Sequence, residues 1–234
     1  MNCETYLQQL RATYQPVGIL SRKNGAMVMR MRHRTLGNDL ILRHYPQPVA
    51  AYSMLCAIRH RNLPEVYDAV ELCDGQIVLE ESISGVTVSQ ALELRTYTYR
   101  GAKKVLQGVC AAVQSLHQLG LVHRDIKPEN VMITGYGVVK LIDLNASRLS
   151  DPTKARDTQL LGTVGYASPE QLGIAPTDSR TDIYAMGVLL NVMLTGQHPS
   201  RMLAKGKAGR IVLRCTQIDP NSRYQTAAQL MNAL

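Results

Sequence analysis

The sequence predicts an α+β protein in two parts, a strand-rich first third and a mainly helical remainder. Three observations predict it. Short apolar or alternating runs, separated by turn residues, crowd the first eighty or so positions. Beyond Gly85 the apolar residues fall instead at helical spacing over long stretches. With 234 residues, the chain has enough length for one large domain or two small lobes around a real core.

In the first part, "AMVMRMRHR" and "NDLILRHY" flank the turn signal "TLGN" and are expected to form a hairpin. Pro46 and Pro48 interrupt, and "AAYSMLCAIRH" follows with Ala51, Met54, Leu55 and Ile58 on one helical face. "EVYDAVEL" and "GQIVLEES" are two more strands around Asp74–Gly75. The boundary is expected near Ser82 to Gly85, giving parts at 1–83 and 84–234 of one domain. In the second part, "SQALELR" is a short helix. "RGAKKVLQGVCAAVQSLHQLG" is a long one with Ala102, Leu106, Val109, Val113 and Leu116 on its stripe and Gly120 at its end. "VMIT" and "VVKLID" form a hairpin around "GYG". "TDIYAMGVLLNVMLTG" is nearly all apolar, hence a buried helix, and Asp or Ser is expected to cap the helices.

Composition excludes several classes. The formal charge of +8 admits a nucleic acid, but the basic residues scatter and the one denser patch, Arg30 to Arg34, has no aromatic interleaving. No nucleic-acid partner is expected, and an anionic ligand such as a nucleotide accounts for the balance. The five cysteines are odd in number, far apart and show no CxxC spacing, so neither a zinc site nor a disulfide framework is indicated. Reduced thiols in the cytoplasm are the expectation. "MNCETYLQQL" has no apolar core of signal-peptide length, and there is no 18-residue apolar run for a membrane segment. The close, "YQTAAQLMNAL", is a helical pattern compatible with a longer natural protein. With no Phe or Trp, aliphatics, Met and the eleven Tyr must fill the core.

The chemistry concentrates in "LVHRDIKPENVMI", Leu121 to Ile133. Phosphoryl transfer needs a carboxylate to orient the accepting hydroxyl, oxygen ligands for a metal that bridges phosphates, and a cation on the transferring group. Asp125 suits the first role, Lys127 the last, and Asn130 a metal ligand through its amide oxygen. Asp143, thirteen residues on at a strand end, is a second metal ligand, and this donor set suits Mg²⁺.

With these residues in place, the chain resembles the eukaryotic-like protein kinases, including the Ser/Thr kinases of bacteria, over nearly its whole length. "HRDIKPEN" matches the catalytic loop at each signature position, and "DLN" (Asp143 to Asn145) stands where the family has DFG. "GTVGYASPE" (Gly162 to Glu170) is similar to the end of the activation segment, and "DIYAMG" (Asp182 to Gly187) to the start of the central buried helix. Arg223 matches the arginine that pairs with Glu170. The resemblance implies a bilobal kinase-like fold, with residues 1–83 as N-lobe and 84–234 as C-lobe, and ATP with Mg²⁺ as cofactors. It implies adenine held at Glu80, Ser82 and Ile83, and a protein substrate with a Ser or Thr acceptor. Thr163 stands for the threonine that brackets the catalytic Asp and Lys. His123 is read as packing, and Arg124 as receiving a phosphate from Ser150, Thr153 or Thr158.

The N-terminal part departs from the pattern. Against the glycine-rich phosphate loop stands "SRKNGAMV", with Ser21, Lys23 and Ala26 at the glycine positions. Arg43 replaces the strand lysine, and Ala51 the helix glutamate that pairs with it. Lys23, in the loop itself, is a candidate substitute cation; a solvated turn residue is its plainer reading. Leu144 replaces the DFG phenylalanine, a mild change, and the helix usual after "LTGQHP" is expected to be short or absent. Two readings follow. One is a Ser/Thr protein kinase with an atypical nucleotide grip; the other is a pseudokinase acting as a binding or regulatory module. A small-molecule phosphotransferase shares the fold but normally lacks the "GTVGYASPE" segment and the Glu–Arg pair.

Overall fold

A computed structural model describes residues 1–149, 165–172 and 177–234. The chain forms two compact units, residues 1–60 with 64–83, and residues 61–63 with 84–234.

The first unit opens with a helix, α1 (Cys3–Thr13), which the sequence reading left out. Asn2 caps it by accepting the Thr5 N–H at 2.9 Å. Cys3, Tyr6, Leu7 and Leu10 repeat at helical spacing and pack on Met31, Leu40, Leu42, Ile77 and Leu79. Those residues belong to one antiparallel sheet of β1 (Tyr14–Lys23), β2 (Ala26–His33), β3 (Asp39–Tyr45), β4 (Val66–Leu72) and β5 (Gly75–Glu81), in the order β1-β2-β3-β5-β4. The hairpin expected around "TLGN" is β2–β3, with Met27 opposite His44 and Arg32 opposite Asp39. β1 is a further addition, an edge strand exposed along nearly its whole length. It joins β2 through Asn24 and Gly25, whose φ angles of 52° and 77° make the two-residue turn that suits a twisted hairpin.

The helix expected over residues 50–60 is shorter. α2 (Ala50–Leu55) has no side-chain cap on its first turn. Past Leu55 the Ala57 and Ile58 N–H groups bond three residues back, to Met54 and Leu55, so the spiral tightens and stops.

The second unit is mainly helical, with short strands. β6 (Gly85–Thr87) leads into α3 (Val88–Leu94), and α4 (Tyr99–Gln118) follows. Next come β7 (Leu121–Val122), β8 (Val131–Thr134), β9 (Val139–Leu141) and β10 (Arg148–Leu149). The unit closes with α5 (Ser179–Thr195), α6 (Gly206–Cys215) and α7 (Ala227–Ala233). β6, β8 and β9 form one small sheet, β7 and β10 another. Residues 61–63 join this unit because Asn62 bonds β9 twice, at Val139 O and Leu141 N, and Leu63 O accepts from Lys140 Nζ.

α5 is buried as its composition demands, with Ile183, Met186, Val188, Leu189 and Leu190 all inaccessible. Gly187 lets α6 approach: a Cβ there would stand 2.3 Å from Cys215 Cβ. The helix caps are Thr87, Thr98, Asp178 and Thr226, so threonine does most of the capping assigned to Asp or Ser, and α6 has no side-chain cap. Residues 196–205 hold no helix. Asn191 organises them from inside α5: its amide nitrogen donates to Gln197 O and Met202 O, and its oxygen accepts from Ala204 N–H.

Candidate active site

The loop between β7 and β8 is held from below by Asp182, the fourth residue of α5. Its fully buried carboxylate accepts the backbone N–H of His123 at 2.9 Å and of Arg124 at 2.8 Å, and bonds His117 Nε2 at 2.8 Å. Burial alone would raise the Asp182 pKa; the hydrogen bond and charge of His117 outweigh it and hold the carboxyl below its ordinary range. Arg124 takes a left-handed φ of 70°, a conformation that costs a non-glycine residue about 1 kcal/mol or more. Gln171 Nε2 donates to the Arg124 carbonyl at 2.8 Å and so fixes this turn from the far side.

On that support three predicted residues converge. Asp125 Oδ2 stands 2.7 Å from Lys127 Nζ and accepts Asn130 Nδ2 at 3.0 Å. The same amide nitrogen donates to the Asp125 carbonyl at 2.8 Å. With Nδ2 committed to Asp125, the Asn130 oxygen is turned away from it and accepts no hydrogen bond from the described residues. Asp143 is brought alongside by its neighbour: Ile142 N–H donates to Asn130 O at 2.8 Å, and Ile142 O lies 3.3 Å from His123 Nε2. Asp143 itself turns at φ 66°. An amide oxygen and a carboxylate on adjacent strand ends are hard donors of the kind Mg²⁺ takes, with phosphate and water completing its shell. No group of three or more His, Cys, Asp or Glu among the described residues makes a metal cage of protein ligands alone.

Below the loop, Arg223 and Glu170 form a buried two-pronged pair, Nη1 to Oε1 at 2.6 Å and Nη2 to Oε2 at 2.9 Å. Burial opposes ionisation of Glu170, and the Arg223 bonds prevail to hold its pKa low. Thr181 Oγ1 adds a third donor at 3.0 Å.

In the first unit the cofactor candidates Lys23, Arg43 and Glu80 share one face of the sheet. The register pairs Lys23 with Ala26, Val28 with Arg43 and Ile41 with Glu80, and paired or alternate residues lie on the same side. α1 covers the opposite side. Lys23 is exposed at the hairpin tip. Arg43 is not: its Nε donates to Glu80 Oε1 at 2.6 Å. The arginine left without a helix glutamate thus gains a carboxylate from β5. Ser82 and Ile83 follow β5 and are half-buried.

Comparison with known proteins fits this geometry. The protein kinase domain model matches residues 47–233. The chain belongs to the protein kinase domain family. The match begins after β3, so the strands that carry Lys23 and Arg43 lie outside it. Among curated relatives, the kinase domain is 28% identical to the serine/threonine-protein kinase PrkC of Bacillus subtilis, over 91% of this chain and 36% of that one. It is 32% identical to the probable serine/threonine-protein kinase PknB of Bifidobacterium longum, over 72% and 26%. It is 41% identical to the probable serine/threonine-protein kinase CE0033 of Corynebacterium efficiens, over 61% and 23%. The chain therefore spans about a quarter to a third of the length of these relatives.

Thr163 and the acceptor candidates Ser150, Thr153 and Thr158 lie outside the described residues. Residues the sequence reading missed are His117, Gln171 and Asn191, and the ion-pair role of the Glu80 side chain. None stands in a contiguous motif; each acts through a partner at least 11 residues away. No described helix is long and apolar enough to cross a membrane.

Proposed function

We propose that this kinase domain transfers the γ-phosphate of ATP to a Ser or Thr hydroxyl of a protein substrate. The single observation that carries the reading is the loop in which Lys127 Nζ and Asn130 Nδ2 both meet Asp125 Oδ2, with Asn130 tied to the strand end before Asp143. Asp125 orients and takes the proton of the acceptor hydroxyl. Lys127, held beside it, presents its ammonium to the transferring phosphoryl group. The Asn130 oxygen and the Asp143 carboxylate would hold Mg²⁺, which when bound offsets charge on the polyphosphate. Lys23 and Arg43 are the candidate cations of the nucleotide grip, with Glu80, Ser82 and Ile83 along the strand end that would hold adenine. Thr163 is assigned to bracket Asp125 and Lys127. We read residues 1–83 and 84–234 as the N- and C-lobes of one domain, working in the cytoplasm. The printed names of the relatives favour Ser or Thr as acceptor.

The test is phosphate transfer from Mg–ATP to a generic Ser/Thr acceptor protein. Asp125→Asn keeps shape and hydrogen bonding but not basicity, and is expected to lower kcat by about 10²–10⁴-fold with nucleotide affinity little changed. Equal turnover by the variant would refute the assignment.

A second reading, a nucleotide-poor regulatory module, draws on one observation: the sole buried cation among the nucleotide candidates is already paired to Glu80. Wild-type protein that neither binds ATP nor transfers phosphate would favour it.

A further inference from the structure

Arg43 and Glu80 stand on the neighbouring strands β3 and β5 as a diagonal pair two register positions apart, Arg43 facing Val78 and Glu80 facing Ile41. Only 8% and 4% of their side-chain surfaces are exposed. A buried guanidinium needs a counter-charge, because removing an unpaired charge from water is costly. The helix that follows β3 cannot supply one: Ala50–Leu55 contains no acidic residue. The carboxylate comes from within the sheet, at 2.6 Å from Nε. That separation has a consequence for any anion reaching this face. The two unit charges cancel there, so a phosphate meets a cation whose field is already offset at contact distance. The β3–β5 register keeps the Glu80 backbone beside Arg43, so a phosphate that approaches the guanidinium must compete with a carboxylate held within reach.

We propose that Glu80 sets the nucleotide affinity of this domain by competing with phosphate for Arg43, a role that rests on the nucleotide reading above. Glu80 acts through Arg43 and is a positioning residue in that sense: it fixes the guanidinium and withholds its charge.

The experiment is titration of wild type, Glu80→Gln and the double variant Arg43→Gln/Glu80→Gln with a non-hydrolysable ATP analogue and Mg²⁺, at low and at moderate salt. Glu80→Gln keeps the acceptor oxygen and removes the charge. It is expected to bind about tenfold tighter or more, with a steeper loss of affinity as salt rises. A purely structural role would not steepen the salt dependence. The double variant removes both charges and is expected to bind within about threefold of wild type, since the pair contributes little net charge. Glu80→Gln that melts cooperatively yet binds no tighter overturns the proposal. So does a double variant that binds more than about tenfold weaker, which would mean Arg43 already serves the phosphates. If Glu80→Gln does not fold, the double variant decides alone. Wild type that binds and transfers phosphate, with Glu80→Gln unchanged, sinks this proposal only. Folded proteins that all fail to bind sink the nucleotide reading as well.

Discussion

Three donors converge on the buried carboxylate of Asp182, and two of them are the backbone N–H groups that start the loop carrying Asp125. Asp182→Ala leaves those donors unsatisfied in the interior, each at a cost of about 1–3 kcal/mol, so a loss of about 3 kcal/mol or more of stability is expected by denaturant titration. Full stability in that variant would mean the loop is held otherwise. Thiols report on the same interior. Burial pushes Cys110 up to about 12 and raises Cys215 further, while Cys56 and Cys73 are exposed. A thiol reagent should therefore label Cys56 and Cys73 in the native protein, and Cys3, Cys110 and Cys215 only on unfolding, as read by intact mass. At this scale the sequence was legible where the chemistry is contiguous. Asp125, Lys127 and Asn130 meet within six positions because a tight loop brings such spacings together. Glu80 was legible as a strand residue but not as a counter-ion, because its partner lies 37 residues away and only the register of β3 on β5 joins them.

The strands and helices followed their periodicity, and the misses have local causes. α1 hid in a segment scanned only for a targeting signal, although Cys3, Tyr6, Leu7 and Leu10 carry the helical stripe. β1 is exposed along nearly its whole length, so it lacks the alternation that marks a half-buried strand; the Asn24–Gly25 turn was its legible sign. Asn191 drew no reading of its own within the nearly all-apolar helix, yet it organises residues 196–205 where no helix forms. Asn191→Leu removes three of those bonds at once and is expected to destabilise the domain by about 2–4 kcal/mol, measured as a fall in the denaturation midpoint. Gly187→Ala tests the α5–α6 approach, since a methyl there meets Cys215 Cβ at 2.3 Å. Overpacking of about 1–3 kcal/mol is expected, and pairing it with Cys215→Ala should not relieve it, because the clashing atom is the Cβ that alanine keeps.

At the scale of the molecule, two buried carboxylates among the described residues, Glu170 and Asp182, are held below their ordinary range. A depressed folded pKa contributes stability that is complete above the unfolded carboxylate range, near pH ~4–4.5, and is lost as pH falls through the folded values. Acid should thus unfold the domain below that range. Arg223→Met should lower stability at neutral pH by about 3–5 kcal/mol and weaken the acid dependence, because Glu170 then no longer gains from ionising. Both effects can be read from denaturant midpoints at a series of pH values. The central claim concerns chemistry, and one measurement meets it directly: phosphate incorporation from Mg–ATP, followed by intact mass, in wild type and in Asp143→Asn. Asparagine tolerates the left-handed turn at 143 while losing the charge, so the fold is preserved. The account predicts Mg²⁺-dependent phosphate on Ser or Thr in the wild type and its loss in the variant. Wild-type protein that binds Mg–ATP yet gains no phosphate, on itself or on an added acceptor, would contradict it.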